Sequence, residues 1–275
     1  GNDSIWGGEG EDTLSYANAA AGVTLSLLAG TATGEGTDTL YSDIENVTGS
    51  AYADTLTGDA AANVLSGGAG DDILIGGLGA DTMDGGDGID TVDYSSNGVG
   101  ITLNLGTGNG VDGSGTDSIS NVENVIGSAY ADQILGNSGA NEIWGGDGND
   151  DLRGYAGDDI LHGGDGDDSF YDLFFGTGND TYYGDAGNDT VNAFSGLNVI
   201  YGGTGNDDLR GGSDADTING DEDDDIIKGN GGNDTLNGGS GIDTINGGDD
   251  DDTIHGNAGD DWLRGDAGDD TLFGD

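Results

Sequence analysis

Gly67-Gly68-Ala69-Gly70-Asp71-Asp72-Ile73-Leu74-Ile75 is followed without a gap by Gly76-Gly77-Leu78-Gly79-Ala80-Asp81-Thr82-Met83-Asp84. Next comes Gly85-Gly86-Asp87-Gly88-Ile89-Asp90-Thr91-Val92-Asp93. Each nine-residue unit has glycine at positions 1, 2 and 4, a carboxylate at position 6 and an apolar residue at position 8. Carried outward, the register holds for 25 units, the first truncated at Gly1. Position 6 is Asp in 20 of them, Glu in two (Glu45, Glu123) and Asn in three (Asn63, Asn141, Asn198). Position 8 is apolar or aromatic in all 25, from Ile5 to Leu272. A disordered acidic chain has no reason to keep an apolar residue at one phase of nine, so the pattern marks a repeat fold.

The composition agrees with an unusual architecture. The 275 residues include 61 glycines, 55 acids, four bases (Arg153, Arg210, Lys228, Arg264), no proline and no cysteine, for a formal charge of −51. Nucleic-acid binding is disfavoured, because phosphate contacts need Lys and Arg. An anionic membrane surface repels such a chain. No apolar run reaches the length of a membrane span, so no membrane insertion is expected. Residues 1–30 show no basic n-region of an export signal. Without cysteine there is no disulfide framework, and this leaves the redox compartment open.

The units fall into blocks: 1–48, 49–93, 94–126, 127–171 and 172–275. Asp172-Leu173-Phe174 is a three-residue slip before eleven uninterrupted units. Segments 16–39 and 94–117 depart from the nine-residue frame and are copies of each other, within a duplication of 16–48 as 94–126. Val23-Thr24-Leu25-Ser26-Leu27 matches Ile101-Thr102-Leu103-Asn104-Leu105, and Gly49-Ser50-Ala51-Tyr52-Ala53-Asp54 matches Gly127-Ser128-Ala129-Tyr130-Ala131-Asp132. Both apolar stretches alternate as half-buried strands do. The copies are expected to be wider coils of one continuous roll over 1–275.

Within a unit, positions 1 to 6 are rich in the Gly, Asp and Asn that tight turns require. Positions 7 to 9 make a very short strand with position 8 inward. Two units return the chain to its starting side, so residues 18 apart stack. Asp189, Asp207, Asp225, Asp243 and Asp261 then form one column. Asp180, Asp216, Asp234, Asp252 and Asp270 form the other, interrupted by Asn198. Carboxylates stacked at a strand spacing of about 4.8 Å repel unless a cation separates them. Carboxylate and glycine-turn carbonyl oxygens suit Ca²⁺ better than Zn²⁺, Cu²⁺ or Mg²⁺. Pairing adjacent turns predicts roughly 15 Ca²⁺ sites. One inward residue in nine is a thin core, so metal binding and folding are expected to be coupled.

Other motifs carry little. His162 and His255 stand at position 9 and read as exposed strand residues. No H-E-x-x-H or G-x-S-x-G sequence is present, and no catalytic residue or enzyme activity is assigned. Gly108-Asn109-Gly110-Val111-Asp112-Gly113 fits a dinucleotide fingerprint by chance, without the βαβ context. Gly-Thr-Gly-Asn-Asp at 176–180 and 203–207 is too sparse for an ice-binding row. Phe170, Tyr171, Phe174, Phe175, Tyr182 and Tyr183 surround the slip and read as packing that seals a register break. A contact patch is the alternative. Asp214, Asp223 and Asp250 replace the position-4 glycine and are expected to distort their turns.

The whole chain resembles the repeats-in-toxin (RTX) family, whose hemolysin-type nonapeptide is this G-G-x-G-x-D-x-U-x motif. The resemblance implies an all-β fold: a right-handed parallel β-roll with calcium ions between its turns. It implies side-chain metal ligands at position 6: Asp12, Asp54, Asp72, Asp81, Asp90, Asp132, Asp150, Asp159, Asp168, Asp180, Asp189, Asp207, Asp216, Asp225, Asp234, Asp243, Asp252, Asp261 and Asp270. It also implies type I secretion from a Gram-negative bacterium, with folding outside the cell. Starting and stopping within a repeat, the chain is expected to be a piece of a longer protein. The expected role is a structural or secretion module of an adhesin, surface layer or filament, with self-association end to end or contact with a cell surface. The alternative is the C-terminal repeat module of a secreted metalloprotease or lipase.

Overall fold

The computed structural model describes residues 1–171 and 177–274. They contain strands of two to six residues and no helix. The chain divides into two compact units, 1–128 and 129–275. Each is a parallel β-solenoid of two facing sheets.

The second unit is the more regular. One sheet takes Glu142–Asp147, Ile160–Asp165, Thr181–Ala186, Val199–Thr204, Thr217–Glu222, Thr235–Ser240, Thr253–Ala258 and Thr271–Phe273, in chain order. The other takes the strands between them, from Gln133–Leu135 to Trp262–Ala267. All these neighbours run parallel, and except across the slip they keep the expected 18-residue register: Ile218 lies beside Leu236 and Ile227 beside Ile245. At the slip the register becomes 21 residues, with Leu161 beside Tyr182, and both sheets continue through it. Asp172, Leu173, Phe174 and Phe175 lie outside the described residues.

The inward position-8 residue of each strand, whether the strand has three residues or six, builds the core. Leu65, Leu74, Met83 and Val92 in the first unit are fully buried, as are Leu152, Phe170, Ile200, Leu209, Ile227 and Ile254 in the second. A strand with a buried centre and polar flanks is the period of two reduced to its minimum.

The duplicated segments depart from the coil pattern. Thr24–Ser26, Thr31–Thr33 and Thr37–Leu40 form an antiparallel meander laid into one sheet of the first unit. Its outer strands pair parallel with Thr55–Thr57 and Ser4–Ile5. Thr102–Asn104, Asn109–Val111 and Thr116–Ser120 repeat the arrangement in the other sheet. Each segment contributes three strands where one was expected. The first reversal of each meander turns at Gly30 or Gly108, whose φ angles of 67° and 69° lie in the left-handed region.

Positive φ recurs at position 2 or 4 of the regular turns, where coils approach closely. Asp and Asn tolerate it better than other non-glycine residues. Asp223 and Asp250 keep it at 75° and 77°, so these two turns retain the glycine conformation. Asp214 is absent from the positive-φ residues, and its Oδ2 accepts the Gly196 N–H at 3.0 Å.

Gly239 and Gly231 separate the two demands on glycine. Gly239 has φ of 117° and a Cβ there would strike the Asp221 carbonyl, whereas a Cβ at Gly231 would meet only Ser213 O at 3.8 Å. Gly239→Ala is expected to cost about 1–3 kcal/mol and Gly231→Ala within about 0.5 kcal/mol, measured by denaturant unfolding in saturating calcium.

Candidate metal centre

The position-6 carboxylates form a ladder along the turns. One oxygen of each accepts the backbone N–H of the position-6 residue one coil earlier. Asp189 N–H donates to Asp207 Oδ1 at 2.8 Å, Asp207 N–H to Asp225 Oδ1 at 2.9 Å and Asp225 N–H to Asp243 Oδ1 at 2.9 Å. The opposite edge repeats this from Asp216 through Asp234 to Asp252. Across the slip, Asp168 N–H still reaches Asp189 Oδ1 at 2.8 Å. Both expected columns are present, with Asn198 filling its rung by accepting the Asp180 N–H.

The second oxygen has no such partner. Among the described residues, Oδ2 is buried without a hydrogen bond in Asp12, Asp72, Asp81, Asp90, Asp150, Asp159, Asp168, Asp189, Asp207, Asp216, Asp225, Asp234, Asp243 and Asp252. Each has glycine five residues earlier, at position 1, and a Cβ there would strike that Oδ2. In many rungs the next coil's position-1 carbonyl closes on the same spot. At Gly67 both Asp72 Oδ2 and the Gly85 carbonyl would meet a Cβ, and Gly202 stands likewise to Asp207 Oδ2 and Gly220 O. Glycine thus leaves a small oxygen-lined cradle. A buried, unpaired carboxylate oxygen is costly unless a cation or proton serves it.

The carboxyl acidities record the same strain. Burial pushes Asp189 up to about 8. It pushes Asp150, Asp159, Asp216, Asp225 and Asp234 up to about 7. Asp72, Asp81, Asp168 and Asp207 rise to about 6. The donated backbone N–H opposes the shift in each case, and neighbouring carboxylates mostly add to it.

Five of the nineteen candidates differ. Asp54 spends both oxygens locally: Oδ1 accepts the Val23 N–H and Ser50 hydroxyl, and Oδ2 accepts the Ser50 N–H. Asp132 is buried at the corresponding place in the duplicate, whereas Asp261 and Asp270 are only half-buried. Asp180 Oδ2 accepts the Tyr182 hydroxyl at 3.2 Å.

Two buried acids belong to the ladder and escaped the sequence reading. Asp38 and Asp117 accept the N–H of Asp3 and Asp81 at 3.0 and 2.9 Å. Gly34-x-Gly36-x-Asp38-x-Leu40 and Gly113-x-Gly115-x-Asp117-x-Ile119 carry the motif from position 2 to position 8. It is hidden there because the frame shifts on either side. A further ladder joins position 5 of successive coils on the exposed turn, as in Asn206 N–H to Asn188 Oδ1 and Asp224 N–H to Asn206 Oδ1. The enrichment of Asp and Asn at that position was its signal.

Of the described aromatic residues near the slip, Phe170, Tyr182 and Tyr183 pack, whereas Tyr171 is exposed. Buried Phe170 and Tyr182 meet edge to face at 5.9 Å. His162 is stacked between Trp144 and Tyr183, and Tyr201 continues that parallel column.

Among the described residues no three His, Cys, Asp or Glu side chains converge on one point. An ion held here therefore takes carboxylate oxygen together with backbone carbonyl oxygen. That donor set fits calcium, a hard cation that accepts mixed oxygen ligands in flexible geometry.

A parallel solenoid with half-used carboxylates stacked along its turns defines a metal-stapled repeat protein. The chain belongs to the RTX calcium-binding nonapeptide repeat family, whose model matches residues 1–18, 42–73, 57–92, 126–161, 144–171, 176–209, 210–245 and 246–275. Both antiparallel meanders fall entirely between these matches. No curated protein matches the chain.

In chelator, the buried carboxyls of the folded chain keep protons to higher pH than the unfolded chain's carboxyls, which titrate near about 3.9. The folded form then binds more protons, and its stability falls as pH rises from about 4 to about 8. Circular dichroism in excess chelator is expected to show more strand signal at pH 5 than at pH 8. A metal-free strand signal that grows with pH over this range contradicts the assignment.

Proposed function

We propose that the chain is a calcium-dependent structural module of a secreted bacterial protein. It stays unfolded at low cytosolic calcium, passes through a type I exporter and winds into its solenoid on meeting extracellular calcium. The observation that carries this reading is the repeated buried Oδ2 without a partner beside a position-1 glycine. The formal charge of −51 supports it, since self-repulsion opposes the compact state until cations enter. The thin core supports it too: each three-residue strand presents one inward side chain.

In this role the solenoid is a stiff extracellular segment, in an adhesin, surface layer or filament. Its residues do one thing: they hold carboxylate and carbonyl oxygens at spacings that a divalent cation closes. Bound calcium supplies the charge that lets successive rungs stack.

Calcium titration from excess chelator, followed by circular dichroism, tests the proposal. A cooperative gain of strand signal is expected, reversed by chelator. Asp207→Asn is expected to remove calcium from the middle of a column. At a calcium level 100-fold above the dissociation constant, losing one ion costs about 2.7 kcal/mol. The expected result is a lower melting temperature in calcium than wild type. Equal melting temperatures, or a strand signal unchanged by chelator, contradict the proposal.

A further inference from the structure

Three rungs answer the second carboxylate oxygen in another way. The Tyr16 hydroxyl donates to Asp38 Oδ2 at 2.7 Å, the Tyr94 hydroxyl to Asp117 Oδ2 at 2.8 Å and the Tyr182 hydroxyl to Asp180 Oδ2 at 3.2 Å. In each case Oδ1 still accepts the backbone N–H of the preceding rung, from Asp3, Asp81 and Asp159. Each of these carboxylates is thus tied to the preceding rung as elsewhere in the ladder, and the partner of Oδ2 differs.

The glycine cradle is lost in the same rungs. Position 1, five residues before the carboxylate, is Thr33 ahead of Asp38, Asp112 ahead of Asp117 and Phe175 ahead of Asp180. All fourteen carboxylates with an unpartnered Oδ2 have glycine there. Tyrosine cap and absent cradle thus occur together. A phenol placed on Oδ2 takes the hydrogen-bonding role that an ion would otherwise serve.

We propose that Tyr16, Tyr94 and Tyr182 replace calcium in their rungs, so that calcium binds in runs separated by ion-free, tyrosine-closed rungs. The tyrosines come from different parts of the fold. Tyr16 and Tyr94 reach 22 and 23 residues forward to the last strand of each meander, whereas Tyr182 reaches back to the residue just before its own strand. The two meanders are therefore held by a direct protein contact where parallel coils rely on a cation. In the second unit, Asp180 and Asn198 break one column into an isolated Asp159 and a run from Asp216. The opposite column runs from Asp150 to Asp243 with every Oδ2 open.

The inference rests on calcium binding at the open carboxylates, and its test separates the two. The full chain is crystallised with calcium and anomalous difference density is recorded. Bound calcium per chain is also counted by equilibrium dialysis for wild type, Asp117→Asn and Asp90→Asn. Peaks are expected beside open carboxylates such as Asp90 and Asp207, with none beside Asp38, Asp117 or Asp180. Asp117→Asn is expected to keep the wild-type calcium count and Asp90→Asn to lower it. A peak at Asp117 or a lowered count in Asp117→Asn overturns the inference and leaves calcium binding standing. No calcium bound by wild type overturns both. The density of the wild-type chain decides the matter even where a variant fails to fold.

Discussion

One carboxylate with two unequal oxygens underlies the whole structure. The first oxygen is used up by a backbone N–H from the preceding coil, which fixes the position and orientation of the aspartate. The second is left buried beside a glycine, with a carbonyl from the next coil closing on the same point in many rungs. Hydrogen bonding alone stacks the turns but leaves a row of uncompensated charge. Because burying an unpaired charge is far more costly than one hydrogen bond is stabilising, each of these oxygens calls for a cation or a proton. Geometry and charge balance are thus set by the same side chain.

The rest of the unit serves that carboxylate. Position-1 glycine keeps a Cβ out of the oxygen cradle, and the left-handed residues at positions 2 and 4 let one turn lie on another. Position 8 supplies a file of buried apolar side chains through the middle of each unit, half-buried at Ile5, Leu14 and Leu263 and exposed at Leu272. The position-5 ladder, made partly by neutral Asn side chains, ties the outer turn without adding charge at the Asn188 and Asn206 rungs. Arg153 and Arg210 each pair with the aspartate two residues earlier on the strand face, away from the turn carboxylates.

Period and chemistry made much of this legible before any coordinates. The inward residues, the 18-residue register and both carboxylate columns follow from a nine-residue repeat with one apolar and one acidic phase. The meanders did not follow, because Thr31–Thr33 and Asn109–Val111 have small or polar centres and fall outside the frame. Asp38 and Asp117 were missed for the same reason: the motif is present, but the count was carried in from neighbouring units. The Tyr16 and Tyr94 caps are contacts between residues that no period relates, and the Tyr182 cap depends on a position-8 residue being a phenol. Ser50 could only be seen to close Asp54 once its hydroxyl and N–H were placed. The inequality of the two oxygens was invisible as well, since sequence names a carboxylate and leaves unsaid which oxygen is spent.

Hydrogen exchange at the position-6 amides, on the full chain with and without calcium, tests the central claim most directly. Each of these N–H groups donates to a carboxylate whose other oxygen awaits the ion. The account predicts strong protection at Asp189, Asp207 and Asp225 in saturating calcium and its collapse in excess chelator at neutral pH. Equal protection in both conditions would contradict it.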